Sequence, residues 1–495
     1  MKYDCLIIGG GVSGMTSAII MAKKGYHTAI LEKSHSTGPT IKGFEREGLY
    51  FDTGFHYTGG LNEGEPLDIF FRYLGLSNKL EKFSFDENGF DSFRCLQPAF
   101  ELLFPYGYDR IRERFTQIFP EDSGTIDEYL NTVRRIYHSQ PYINLDINMD
   151  SLGLSSIHGP SLKEFLDGMT DNGMLKCILS MHSLLYGVSP EEAPFSLHAF
   201  VAGSYYESVN GIQGGGLSLG KAFDARLKEL DVDVYCGSEV KEIFLNEDNS
   251  IRGLRYGDDN TLYCRTCVST IHPQALVKIV PDSAFRPVYR KRIHALEDTC
   301  SAFILYTKSS LPLNALDRTN LFLFPDIHFR NHQGSDSVEE KPMFIASARP
   351  VNGKTRQDGC VIICPAPNLG TELWTTSLQA NNSDSHTSMK DNVSNSILAH
   401  VEASYPELQG KLTRVDCATP VTLKNFTNSP FGSLYGVKHK IYQYNPMPLT
   451  KIKDLVLAGQ SITAPGIFGA TVSGFVACGS ILGHETLMKD LRECK

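Results

Sequence analysis

The sequence predicts an α/β protein in which a parallel sheet is assembled from separated stretches of chain, with a second, α+β unit interleaved between them. Three observations lead there: a strand, glycine turn, helix and strand at the N-terminus; a buried strand leading into a glycine-rich turn and helix near the C-terminus; and a glycine-rich block in the middle that opens another helix and strands. At 495 residues the chain exceeds what one hydrophobic core organises, so at least two domains are expected. Apolar content of 41% and charged content of 21% are ordinary for a globular protein and exclude a disordered or fibrous chain.

The N-terminal unit is the most specific. Asp4-Cys5-Leu6-Ile7-Ile8 reads as a buried strand, Gly9-Gly10-Gly11-Val12-Ser13-Gly14 contains G-x-G-x-x-G, Ser17 to Lys24 is a helical run ended by Gly25, and Thr28-Ala29-Ile30-Leu31 is the next strand. Each residue type has a physical reason. Gly9 permits the tight turn, Gly11 lets a pyrophosphate approach the backbone, and Gly14 lets the helix lie against the strand. The N–H groups at the helix start, around Val12 and Ser13, then face the phosphates. Glu32, closing the second strand and followed by Lys33, can accept hydrogen bonds from the hydroxyls of an unphosphorylated ribose. A glycine turn alone would be weak, but here the strand, helix and acid that give it meaning are all present.

Farther along come Gly38-Pro39-Thr40 and the string Phe51-Asp52-Thr53-Gly54-Phe55-His56-Tyr57-Thr58-Gly59-Gly60. Near the other end, Asp454-Leu455-Val456-Leu457-Ala458-Gly459-Gln460 is followed by Pro465-Gly466-Ile467-Phe468-Gly469-Ala470-Thr471-Val472-Ser473-Gly474. Together these resemble the FAD-binding flavoprotein superfamily that contains amine oxidases, phytoene desaturases, carotenoid isomerases and retinol saturases. The Asp-Thr-Gly-Phe-His-Tyr string is most similar to the retinol saturase and carotenoid isomerase branch. Gly38-Pro39 and Thr40 stand where many relatives have a glycine pair and an arginine; Gln460 stands where many have aspartate.

The resemblance implies non-covalent FAD, since the flavin-linking cysteine context of some amine oxidases is missing. It further implies that Gly38, Thr40 and Gly54 lie beside the flavin, that Gly459, Gln460, Gly469 and Ala470 form the C-terminal flavin motif, and that Val240 meets adenine through its backbone. The middle block, Asn210 to Gly216 with a helix from Leu217 to Leu230 and strands after it, belongs to the same domain. A discontinuous Rossmann-like FAD-binding domain is thus expected from residues 1–69, 205–284 and 421–495, with an α+β substrate-binding domain from 70–204 and 285–420. Helical spacing at 108–138 and 160–186 and strand-like runs at 301–307, 342–348 and 359–365 suit the latter. Residues 378–395, rich in Asn, Ser and Asp, read as an exposed loop before a helix from Ser396 to Ser404. The aromatic-rich stretch from Leu184 to Phe200 could line an apolar tunnel.

A formal charge of −9 argues against nucleic acid as a partner. An apolar strand beginning at Cys5 leaves no room for a signal peptide, so a cytoplasmic protein is expected. No run approaches the ~18 apolar residues of a spanning helix, which leaves peripheral membrane contact open. Twelve cysteines then read as reduced, mostly buried thiols; Cys264-x-x-Cys267 has no second pair, and no metal is expected. The N-x-S/T sequons at Asn381, Asn392 and Asn425 mean little without secretion.

The resemblance implies chemistry on a carbon–carbon double bond of a lipophilic polyene of the retinoid or carotenoid kind, with saturation of one bond the favoured reaction. Desaturation and cis–trans isomerisation share its geometry, and an amine oxidase or a non-redox prenyl-lipid carrier are the rivals. His56 and Tyr57, on the turn beside the flavin, are the expected proton carriers. No second nucleotide motif is evident, so the electron source, NAD(P)H or another external donor, stays open.

Overall fold

The computed structural model describes residues 2–147, 159–328, 337–350, 358–369 and 383–495. Lys2–Ile8 and Thr28–Leu31 pair in parallel, as the βαβ pattern requires. On the far side of Lys2–Ile8, again in parallel, lies Asn260–Ser269, and this strand also takes Leu455–Leu457 as a parallel neighbour. Asp233–Tyr235 adds to the other edge, and the hairpin Val240–Leu245 with Ile251–Tyr256 completes a seven-stranded sheet. Strands separated by more than four hundred residues therefore share one sheet. Their side chains are buried on both faces, which is why they read as continuous apolar runs rather than alternating ones.

A second seven-stranded sheet runs in the order Leu412–Ala418, Ser301–Ser309, Asp358–Ala366, Met343–Ser347, Asn320–Asp326, Asp91–Gln97 and Phe100–Phe104. The three strand-like runs of the sequence are neighbours in it. Helices Tyr108–Ile118, Ser123–Tyr137 and Phe195–Glu207 cover one face through a core rich in Phe and Tyr. The helix Ser383–Ser404 packs against the other.

Two sequence expectations need correction. The helix after the glycine turn begins at Val12, not Ser17, because Gly14 sits inside it as a contact residue rather than before it as a breaker. The segment 383–395 is helical, not a loop. Ser, Asn and Asp favour turns because their side chains compete for the backbone. Here Met389, Val393, Ile397 and Val401 recur every four residues and pack onto the second sheet, so burial overrides propensity. Asn381 and residues 378–382 of that expected loop lie outside the described residues.

Candidate active site

The first helix, Val12–Lys23, starts from Gly11 with no side-chain cap and no acid in its first turn. The same is true of Gly466–Leu482, which starts from Pro465. The two helices pack together, and Ser13 Oγ donates to the Ala470 carbonyl at 2.7 Å. Both positive helix ends therefore open toward one place, a cavity of about 810 Å³ lying between the two sheets.

Its walls follow the motif in order. Gly9, Gly11, Val12 and Ser13 line one end with Glu32, Lys33 and Val240. Thr40, Gly54, His56, Gly459, Gln460 and Ala470 line the other, where Ile304, Tyr306 and Ile363 of the second sheet supply the floor. A Cβ on Gly11 would meet nothing within 4 Å, so this position is an open face of the cradle. A Cβ on Gly14 would lie 2.0 Å from the Gly9 carbonyl oxygen, which fixes glycine there for packing. Glu32 is 6% exposed and its carboxylate already accepts from Gly10 N at 2.6 Å and Ser34 N at 2.7 Å, which holds it rigidly while leaving lone pairs for a ribose. Lys33 is paired with Glu239 at 2.9 Å on the rim.

Gly14, Gly38 and Gly469 are not in this wall. Gly14 acts from behind, as its packing role requires. Gly38 belongs to a turn whose N–H donates to the Gly10 carbonyl at 2.8 Å, so it braces the glycine loop rather than lining the cavity. Gly469 faces a second, narrower cavity instead. Asp52, which sequence reading did not single out, is 2% exposed and accepts from Gly216 N at 2.8 Å. It thereby ties the turn carrying Gly54 and His56 to the start of the helix Gly215–Glu229.

The second cavity, about 120 Å³, adjoins the first through Gly54, His56, Ile363, Leu434, Tyr435, Gly466 and Ile467, which line both. Its remaining wall is mainly apolar and aromatic, including Phe55, Leu184, Leu185, Val188, Phe200 and Phe344, with the hydroxyls of Thr58, Ser183 and Ser204 between them, and among the described residues no Asp, Glu, Lys or Arg lines it. Of the stretch from Leu184 to Phe200, only Leu184, Leu185, Gly187, Val188 and Phe200 reach this wall. Tyr186 and His198 turn into the core and bond each other at 3.1 Å.

Tyr57 lines the narrow cavity with its ring, and its hydroxyl donates to Asp91 Oδ2 at 3.1 Å. Asp91 also contacts His182 Nε2 at 2.9 Å and Asn320 Nδ2 at 3.0 Å, and both Asp91 and His182 are wholly buried. Burial raises the Asp91 carboxyl above its usual range, against the opposing pull of His182. Burial, then the nearby Asp91, push the Tyr57 phenol well up. Asp91, His182 and Asn320 were not foreseen: they come from three distant segments, and no local signal joins them.

Two helix poles, an acid at the second strand end and a flat apolar floor make a cradle for a dinucleotide carrying a ring system. The profile described as flavin containing amine oxidoreductase matches residues 12–482. The chain belongs to this family. Its cofactor is FAD, and the residues present fit it: uncapped helix starts for phosphate charge, open space over Gly11, and a buried carboxylate for the ribose. The flavin-family chain is 24% identical to an all-trans-retinol 13,14-reductase of Danio rerio, over 98% of this chain and 86% of that protein. It is 22% identical to a 4,4'-diapophytoene desaturase of Staphylococcus haemolyticus, over 99% of each. An oxidoreductase structure from Methanosarcina mazei shares the fold with a TM-score of 0.68 at 13% identity, covering 96% of this chain and 99% of that one.

Proposed function

We propose that this FAD-dependent oxidoreductase saturates one carbon–carbon double bond of a lipophilic polyene of the retinoid or carotenoid kind. The observation that carries the reading is the narrow cavity beside the flavin cradle, which is mainly apolar and aromatic and, among the described residues, lined by no charged side chain. A cationic amine would find no carboxylate among the described lining residues, only ring faces and neutral hydroxyls to offset its desolvation. A conjugated hydrocarbon loses nothing on entering and gains contact with Phe55, Phe200 and Phe344. The relatives named for retinol 13,14-reduction and diapophytoene desaturation support the same substrate class.

Bound FAD supplies hydride transfer to or from carbon. The protein's own part is to hold the reacting stretch of the polyene in the narrow cavity, exclude water and carry the accompanying proton. Tyr57 Oη, with Asp91 behind it, is the proton carrier: with the Asp91 carboxyl protonated, the phenol turns its proton from Asp91 to a substrate carbon and takes the carboxyl proton in its place, leaving Asp91 ionised against His182 and Asn320. His56, facing both cavities, is a second proton-carrying group at their junction. Electrons come from an external donor, NAD(P)H or another carrier. The division into an FAD-binding domain of 1–69, 205–284 and 421–495 and a substrate-binding domain of 70–204 and 285–420 is part of this reading, supported by the two sheets that draw on those stretches. A cytoplasmic compartment is part of the same reading, and the ten buried cysteines, all free thiols, suit it.

The test is to reduce the enzyme anaerobically, offer retinoids and carotenoids, and weigh the products. A gain of two hydrogens is expected. An unchanged mass with a new retention time means isomerisation, and loss of two hydrogens by the oxidised enzyme means desaturation; either replaces the saturase reading.

A further inference from the structure

Among the described residues no helix is long and apolar enough to cross a membrane. One surface nevertheless carries apolar side chains that the fold leaves uncovered. Tyr442 is 96% exposed, Leu449 67%, Val288 62% and Met447 46%, and Tyr444 is exposed beside them. They form one face. Tyr444 meets Tyr289 at 6.3 Å between ring centroids, and the Arg292 guanidinium lies 5.5 Å from the Tyr444 ring. Val288 is one helical turn from Arg292 on the helix Pro287–His294.

The loop is built to project these residues. Pro446 and Pro448 are buried while Met447 and Leu449 between and after them point out. Leu457 N donates to the Pro448 carbonyl at 2.7 Å, and Leu449 bridges Val456, which anchors the loop to the first sheet.

Charge marks the same face. Residues 285–296 and 438–453 contain eight Arg and Lys residues, of which Arg290, Lys438, Lys440 and Lys453 pair with Asp282, Glu192, Glu297 and Asp248. Among the described residues Arg286, Lys291, Arg292 and Lys451 enter no ion pair, and all four are exposed. Exposed tyrosines and aliphatic side chains on segments that also carry cations outside any ion pair suit the boundary between acyl chains and anionic headgroups.

The segment that carries this face starts from the site. Leu434 and Tyr435 line both cavities, and the chain reaches Tyr442 seven residues later. On the way Lys438 pairs with Glu192 at 3.0 Å and Ile441 N donates to the Glu192 carbonyl at 2.9 Å, close to the pocket residues Leu184 to Val188.

We infer that the face formed by Val288, Arg292, Tyr442, Tyr444, Met447 and Leu449 docks the enzyme on a bilayer bearing anionic phospholipid. The delivery of substrate from that bilayer rests on the polyene reading; the docking surface does not.

The test uses the flavin-loaded full chain without substrate, sedimented with phosphatidylcholine vesicles that contain or lack phosphatidylserine. Binding to the phosphatidylserine vesicles, reversed by salt, is expected. Lys291→Glu with Lys451→Glu should weaken it by at least roughly fivefold per residue, and Tyr442→Ser with Leu449→Ser should abolish it, with flavin absorbance and thermal midpoint unchanged. The inference is overturned if the intact protein ignores both vesicles, if the variants bind as well as the parent, or if the substitutions instead dissociate a dimer of this chain that does not bind vesicles. Because no substrate is present, a wrong reaction assignment leaves this outcome untouched.

Discussion

Gly11→Asp should give a folded protein that purifies colourless and binds added FAD on the order of a thousandfold more weakly than the parent. A Cβ at this position meets nothing within 4 Å, so the chain itself accepts the substitution. The new carboxylate stands at the uncapped start of Val12–Lys23, where it favours the helix in the flavin-free protein. With FAD present it opposes a phosphate charge at close range. Two like charges ~4 Å apart cost about 4 kcal/mol at the effective dielectric of a protein surface, close to three decades in affinity. Gly14→Ala is the contrast. Its methyl would lie 2.0 Å from the Gly9 carbonyl oxygen, so it should lower the thermal midpoint as well as flavin binding. Flavin absorbance against a thermal melt of the stripped proteins separates the two; a yellow, tight-binding Gly11→Asp protein would mean the phosphates do not lie there.

Tyr57→Phe should cut turnover by about 10² or more, the usual contribution of a positioned acid or base, while leaving FAD affinity near that of the parent. The ring, which lines the narrow cavity, is kept; only the hydroxyl that donates to Asp91 is lost. Asp91→Asn should reproduce much of this loss with Tyr57 intact, since an amide accepts no proton from, and returns none to, the phenol. Removing the carboxylate outright, as in Asp91→Ala, would strand His182 and Asn320 in a dry core and cost about 3–5 kcal/mol of stability. Single-turnover rates with saturating substrate, read against the flavin content of each variant, isolate the proton step. Parent-like rates in Tyr57→Phe would move the role to His56.

What the sequence disclosed was local or repeated a pattern with a known physical cause. The glycine turn, its helix and Glu32 occupy consecutive positions, so their geometry could be reasoned from the chain alone. The C-terminal turn was legible for the same reason, and Ser13 bonding to Ala470 shows why the two ends must meet. Tertiary closure was not legible. Asp52 could be placed on the flavin turn, but its bond to Gly216 requires the folded chain. The Asp91, His182 and Asn320 cluster draws on a strand, a short helical turn and another strand, with nothing in any one segment to mark it. Gly38 was assigned to the flavin wall on resemblance, yet its turn faces the glycine loop, because a glycine required for backbone shape resembles one required for ligand approach. The helix Ser383–Ser404 was hidden by its polar residues until its buried stripe found the second sheet.

The claim that the uncharged pocket serves a conjugated hydrocarbon rather than an amine is tested most directly by the flavin's own colour. The photoreduced, oxygen-free enzyme is mixed with an all-trans polyene, and the oxidised enzyme with a panel of primary and secondary amines, while absorbance near the flavin maximum is followed. The polyene is expected to restore the oxidised spectrum in proportion to dihydro product, and the amines to leave the oxidised flavin unchanged. Bleaching of the oxidised flavin by an amine, with the polyene inert, would contradict it.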